Sequence, residues 1–178
     1  EVTVYIFRGG DAVPVKNETE SDLKRILSKK GIRQSQQLGI TLDATNIRFD
    51  QVVCSSAPRA KHTAREALHQ YGPTPWYIGK GRELYGPASN KDMNAMSAVQ
   101  REVKARFARQ LIPSITYGAY KQLDTTRFFD RFTEEIRQVV RLIPHIEKKH
   151  RVGIFSHAVV GNAVAEALFP QHTAALEM

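Results

Sequence analysis

Two arginines and a histidine stand in this chain where short apolar runs stop. Arg8 closes the run Val2-Thr-Val-Tyr-Ile-Phe7. Arg59 follows Asp50-Gln-Val-Val-Cys54 by way of Ser55-Ser56-Ala57-Pro58. His157 follows Arg151-Val-Gly-Ile-Phe155 and Ser156. A guanidinium is a planar fork that matches two oxygens of a phosphate at once, and it stays charged at any working pH. Helix starts at Pro58 and Ala158 would add backbone N–H groups and the positive end of a helix dipole. A lone arginine can cap a strand, a lone histidine is more often structural, and Ser-Ser alone is usually a turn. At the ends of separate strands, the three together point to an oxyanion pocket.

The elements that must position these groups read as follows. Val2–Phe7 is expected to be a buried strand that ends in a loop at Arg8-Gly9-Gly10, and the polar residues 11–22 continue as loop. Ser28 can cap a helix to about Leu42, with Ile32, Leu38 and Leu42 apolar. Asp50–Cys54 is a second strand. Pro58 suits a helix start, and that helix carries Ala60, Ala64, Ala67 and Leu68 and stops at Gly72-Pro73. Trp76-Tyr77-Ile78 is a third, weaker strand, with Trp76 expected in the core or a pocket wall. Residues 79–126 read as a helical insertion, punctuated by Gly, Pro, Asn and Ser around a basic helical stretch near Ser97–Leu111. An amphipathic helix is expected from about Thr126 to Lys149, with Phe129, Phe132, Ile136, Val139, Val140 and Ile143 inward and Pro144 kinking or ending it. Arg151–Phe155 is a fourth strand, followed by a helix from Ala158 to Leu168. Alternating strands and helices predict an α/β fold, a three-layer α/β/α arrangement with a mainly parallel central sheet. Sites in such sheets lie beyond the carboxyl ends of the strands.

A length of 178 residues suits a single domain over 1–178, and 42% hydrophobic with 25% charged residues is an ordinary globular composition. No apolar run approaches a membrane span. No leader-like segment opens the chain, so a signal peptide is expected to be absent or already removed. The expected location is cytoplasmic, or open if an N-terminal segment has been removed. The chain stops soon after its last helix. One cysteine, Cys54, excludes an internal disulfide and a multi-cysteine metal site, and it reads as buried strand filler. The net charge of +8, from 26 basic and 18 acidic residues, favours anionic partners. No basic run interleaved with aromatics and no zinc spacing argues for nucleic acid. Neither a metal nor another cofactor is implied, since arginines and helix ends supply the positive charge. Oligomeric state is not readable.

The order of motifs resembles the histidine phosphatase superfamily, the phosphoglycerate-mutase-like fold. Ile6-Phe-Arg8-Gly9-Gly10-Asp11-Ala12 is similar to that family's Arg-His-Gly signature, with Gly9 where the nucleophilic histidine belongs. Leu27-Ser-Lys-Lys-Gly31-Ile-Arg33-Gln34 with Leu38-Gly39 is similar to its first helix start. Cys54-Ser-Ser-Ala-Pro-Arg59-Ala60 with Thr63-Ala64 is similar to its second-arginine motif, and Phe155-Ser-His157-Ala158 to its second-histidine motif. The Gly-Asp-Ala after the signature and the modest length lean towards the small phosphohistidine-phosphatase branch, although the middle insertion is longer than in the shortest members.

The resemblance implies a phosphoryl-ester hydrolase. In that family the first histidine attacks phosphorus and becomes phosphohistidine, the arginines and second histidine hold the oxygens, and a carboxylate protonates the leaving group. Carried over, the oxygen holders are Arg8, Arg59 and His157. Glu83, after the third strand, is the expected acid, with Asp11 as the alternative. Asn17 and Ser56 are expected to line the pocket. Glycine has no side chain, so covalent catalysis at position 9 is impossible, and the chain is expected to turn substrate over very poorly. Three readings stay open: an active phosphatase that has lost its nucleophile, a natural pseudophosphatase kept for phosphate binding or scaffolding, and a repurposed pocket doing acid–base work with Glu83 and His157. The expected partner is a phosphorylated small molecule or a phosphoprotein.

Overall fold

Four short runs of β-branched and aromatic residues build one parallel sheet. They are β1 (Thr3–Arg8), β2 (Gln51–Cys54), β3 (Trp76–Ile78) and β4 (Arg151–Ser156), side by side in the order β1-β4-β2-β3. A computed structural model describes residues 2–15, 24–69, 74–80, 83–86, 89–107, 127–142, 150–157, 160–161, 163–164 and 167. Two compact units emerge, Glu1–Tyr85 with Ile143–Ala158, and Gly86–Leu142 with Val159–Met178.

In the first unit the register places Arg8 opposite Ser156 and Cys54 opposite Phe155. The carboxyl ends of β1, β4 and β2 are therefore level. The central strands carry continuous apolar runs, because both their faces are covered: Val52, Val53, Cys54, Val152, Ile154 and Phe155 are buried. β1 departs from the expectation of a buried strand. It lies at an edge of the described sheet and alternates. Tyr5 and Phe7 pack on the core, while Ile6 and Arg8 are exposed. Trp76, on edge strand β3, is likewise exposed rather than in the core. An apolar run fixes strand character, but its place in the sheet is decided by partners distant in sequence.

Two helices cover this core. In α1 (Lys29–Ala44), Ser28 is the N-cap, its Oγ accepting from Gly31 N at 3.1 Å. α2 (Pro58–Leu68) starts with Pro58 in its first turn. The helices pack against each other. Leu42 from α1 and Ala60, Ala64, Ala67 and Leu68 from α2 join Phe49, Val52, Cys54 and Phe155 in one cluster. Phe7 stacks on Phe155 with centroids 4.8 Å apart, and Phe49 meets Phe7 edge-on at 5.9 Å. Asp50 precedes β2 and accepts from the amides of His150 and Arg151 at 3.0 and 2.9 Å, which pins the start of β4.

The second unit is helical in its described residues. α3 (Asn90–Phe107) begins well before the expected Ser97, because Ser89 caps it: Ser89 Oγ accepts from Asp92 N at 3.1 Å. Residues 108–126, and with them the expected end at Leu111, lie outside the described residues. α4 (Phe128–Leu142) buries Phe132, Ile136, Val139 and Val140 at helical spacing. Phe129's side chain, Ile143 and Pro144 lie outside the described residues. Arg131 of α4 bonds Asp92 of α3 at 2.6 Å, and this bond holds the Asp92 carboxyl below its ordinary pKa. Val160, Gly161, Ala163, Val164 and Ala167 are helical, while Ala158, the expected start of that helix, lies outside the described residues. Among the described residues, no helix is long and apolar enough to cross a membrane.

Candidate active site

The loop leaving β1 is gripped from two sides. Gly9 N donates to the Ser156 carbonyl at 3.0 Å, extending the β1–β4 pairing by one residue. Gly10 N donates to Thr63 Oγ1 at 3.0 Å, and that hydroxyl donates to the Arg59 carbonyl at 2.8 Å. On the other side the loop lies on the first turn of α1. A Cβ on Gly31 would stand 2.0 Å from the Asp11 carbonyl, and one on Gly10 would stand 2.7 Å from the Gly31 carbonyl. Both glycines are required by this close approach. Gln34 Oε1 then accepts from Asp11 N at 2.9 Å.

Gly9 is different. A Cβ there would stand 3.8 Å from the Ser156 carbonyl, 3.8 Å from Thr63 Oγ1 and 3.9 Å from Arg59 Cγ, all ordinary van der Waals contacts, and its φ lies outside the left-handed range. Neither packing nor backbone geometry demands glycine. A side chain added at position 9 would start directly beside Arg59.

The first turn of α2 carries no acidic residue, so Arg59 adds its charge to an uncompensated positive helix end. Arg59 Nη2 lies 3.3 Å from His157 Nδ1, and His157 Nε2 lies 3.1 Å from Ser55 Oγ. A guanidinium can only donate, so Nδ1 accepts, and the ring proton sits on Nε2 and points to Ser55. Ser55 is buried and also accepts from Ala57 N at 3.2 Å. The Tyr85 ring meets His157 edge-on at 5.0 Å and 84°, and Arg59 Cζ lies 5.7 Å from the centroid of the same ring. The ends of β2 and β4, the start of α2 and the turn after β3 thus meet in one polar knot.

The expected site residues divide accordingly. Arg59 and His157 are brought together, with Gly9 alongside. Arg8 is exposed at the level of Ser156, and its side chain makes no hydrogen bond or ion pair with another described residue. Ser56 is half-buried in the turn between β2 and α2, and Asn17 lies outside the described residues. Glu83 turns its carboxylate inward on its own loop: Oε2 accepts from Lys80 N at 2.8 Å and from the Tyr77 hydroxyl at 3.1 Å. Burial, followed by this bond and the Glu83 charge, pushes the Tyr77 phenol above its ordinary pKa. Asp11 accepts from Ser28 Oγ at 2.5 Å, so its carboxylate supports the α1 cap. Burial pushes the Cys54 thiol up to about 12, so at neutral pH it is an inert apolar group. Tyr85 is the residue of this knot that motif reading passed over, whereas Ser55 stood in the strand-end segment from Ser55 to Arg59 without a role of its own. Tyr85 had a faint signal, an aromatic just before Gly86 in the segment that also holds Glu83.

Comparison with known proteins gives these motifs a home. The sequence profile of the histidine phosphatase superfamily (branch 1) matches residues 5–177. The chain belongs to the histidine phosphatase superfamily. No curated protein matches it at the level of sequence. Its fold is similar to that of a candidate phosphohistidine phosphatase, SixA, from Agrobacterium tumefaciens, with 15% identity and a TM-score of 0.57 over 98% of this chain and 82% of that one. It is similar to the alpha-ribazole phosphatase of Shigella flexneri, with 21% identity and a TM-score of 0.60 over 98% and 83%. It is also similar to a phosphoglycerate mutase of Bacillus anthracis, with 20% identity and a TM-score of 0.59 over 97% and 82%. Likeness at such identities establishes the phosphoglycerate-mutase-like α/β fold of this superfamily member, while function has to be argued from the site.

Proposed function

We propose that this chain binds the phosphoryl group of a phosphorylated small molecule or phosphoprotein, in a hydrolase-type pocket that lacks its nucleophile and therefore turns substrate over very poorly. The observation that carries the reading is the Arg59–His157 pair, held at the carboxyl ends of the strands with Gly9 beside it. Arg59 supplies a fixed positive fork, and Arg8, at the neighbouring strand end, has side-chain donors with no partner among the described residues. When an anion enters, Arg59 exchanges the His157 nitrogen for phosphoryl oxygens, a proton taken up at Nδ1 lets His157 donate to the same anion, and Ser55 keeps the imidazole oriented through Nε2.

With a histidine at position 9 the pocket would hold a complete set for phosphoryl transfer. The imidazole nitrogen would attack phosphorus, the ester P–O bond would break, and the leaving oxygen would take its proton from Glu83 only if that carboxylate left Lys80 N and the Tyr77 hydroxyl, and otherwise from water. Water would then cleave the P–N bond. The geometry around Gly9 favours this reading over a backbone rebuilt for another purpose, since a Cβ there would meet only ordinary van der Waals contacts. It gives no support to acid–base chemistry shared by Glu83 and His157, because the Glu83 carboxylate is bonded to Lys80 N and Tyr77 instead.

The test is a Gly9→His variant assayed on p-nitrophenyl phosphate. Steady turnover in the variant, with almost none in the Gly9 chain, is the expected result. A folded variant that binds phosphate without turnover would make the chain a binding module. Turnover of a phosphoester by the Gly9 chain itself at an ordinary enzyme rate would overturn the proposal.

A further inference from the structure

Tyr85 is tied into the knot from its far side. The preceding residue, Leu84, is buried, and its φ of 60° lies in the left-handed region that a leucine rarely adopts. The buried Ser156 hydroxyl donates to the Leu84 carbonyl, so β4 itself clamps the turn. Strain of this kind persists only where the surroundings over-determine it. The clamp brings the Tyr85 ring against both members of the polar pair: edge-on to His157 at 5.0 Å, and 5.7 Å from the Arg59 guanidinium carbon. The electron-rich face of a phenol ring attracts a guanidinium and gives it a preferred direction without occupying any of its N–H groups.

We infer that Tyr85 is a positioning residue: its ring, clamped by Ser156, holds Arg59 and His157 in the geometry that grips the phosphoryl group. The inference rests on the phosphate-binding reading for its purpose and on the resting geometry for its substance. The ring acts, through its contacts with His157 and Arg59. Tyr85 sets the imidazole tautomer indirectly, by keeping the Arg59 donors on Nδ1 while Ser55 takes the Nε2 proton.

The experiment uses the full chain and has two readouts. Nitrogen-15 NMR of the histidine rings, with His157 assigned from a His157→Ala variant, reports the tautomer without any ligand. Titration with inorganic phosphate reports the grip. Tyr85→Phe should keep the Nε2–H pattern of His157 and the phosphate affinity of the starting protein. Tyr85→Met, which keeps the bulk without a ring, should give an averaged tautomer and weaken phosphate binding about tenfold, the size expected for losing a half-buried cation–π contact and the order it imposes. A merely structural Tyr85 would lower thermal stability and leave the tautomer alone. Ser156→Ala cuts the clamp and leaves the ring in place. It should reproduce the tautomer change in smaller measure, and it decides the matter if Tyr85→Met does not fold. An unchanged His157 pattern in folded Tyr85→Met, or in Ser156→Ala where that variant decides, overturns the inference. Failure of the starting protein to bind phosphate would instead overturn the proposed function, with the tautomer readout still deciding the role of Tyr85.

Discussion

Two stretches of the same rim are built very differently. Where β2 and β4 end, Ser55 is buried, His157 is bonded at both ring nitrogens, and Arg59 is held by His157 and faced by an aromatic ring. Where β1 ends, the exposed Arg8 side chain makes no bond to a described residue, and Gly9 has no side chain. On the proposed reading, the first stretch is organised in advance for a tetrahedral anion. The second has a well-held backbone and, at Gly9, no side chain. The proposal therefore separates organisation for binding from capacity for the covalent step, and predicts that the latter is what this chain lacks.

The largest effect that could break this comparison comes from position 9. Restoring an imidazole with Gly9→His should raise p-nitrophenyl phosphate hydrolysis by roughly a thousandfold or more, since a nucleophile typically accounts for that much or more of the rate. The first atom of the added side chain meets only ordinary contacts, and the melting temperature should stay close to that of the starting protein. A large drop would show that the backbone at Gly9 is not free to carry a side chain.

The two strands can be compared by cavity. Phe155 of β4 is 1% exposed, whereas Ile6 of the edge strand is 36% exposed. Phe155→Ala should cost about 3–5 kcal/mol in denaturant unfolding. Ile6→Ala should cost well under about 2 kcal/mol, because much of its side chain stays in water when the chain folds. Equal costs would mean that β1 is covered more fully than its exposure indicates.

Next come the arginines. Arg59→Ala should weaken phosphate binding about a hundredfold, as expected for losing charge-assisted bonds from a pre-aimed fork, and Arg59→Lys should recover only part of it. Arg8→Ala should cost less, about tenfold, because an exposed side chain must be ordered as the ligand binds. The reverse ranking, measured by calorimetric titration, would place the grip at β1 rather than at the knot.

The smallest effect is on the turn after β3. Glu83→Gln should move the Tyr77 titration, followed by ultraviolet absorbance, back towards the ordinary phenol value without reaching it, because burial is the largest cause of the shift and remains. The sign for stability follows from a folded pKa raised above the unfolded one. The Tyr77 contribution is present below the phenol's ordinary pKa and is lost as the pH rises through the raised value. A Tyr77 titration unmoved in Glu83→Gln would remove Glu83 from its place beside that phenol.

Legibility followed the same division. The helix start at Ser28 and the starts of α1 and α2 were readable, because caps and an N-terminal proline act within a few residues. The apolar runs announced the strands. The edge position of β1 was not readable, because it depends on pairing with residues about 150 positions away. The strand-end positions of Ser55, Arg59 and His157 were legible, and the structure brings these three together. Tyr85 was not, since its significance lies in side-chain contacts that bring four separate segments together. Glu83 and Asp11 fitted the pattern by position, yet their carboxylates are engaged by neighbouring donors, which no spacing reveals.

The central claim is that Arg59 and His157, joined by Arg8, enclose one tetrahedral oxyanion next to Gly9. Crystals grown with tungstate test it most directly, through the anomalous signal of the metal. The account predicts tungsten density with its oxygens in hydrogen-bond reach of Arg59, His157 and Arg8. Tungstate bound only elsewhere, with the Arg59–His157 contact unbroken, would contradict it.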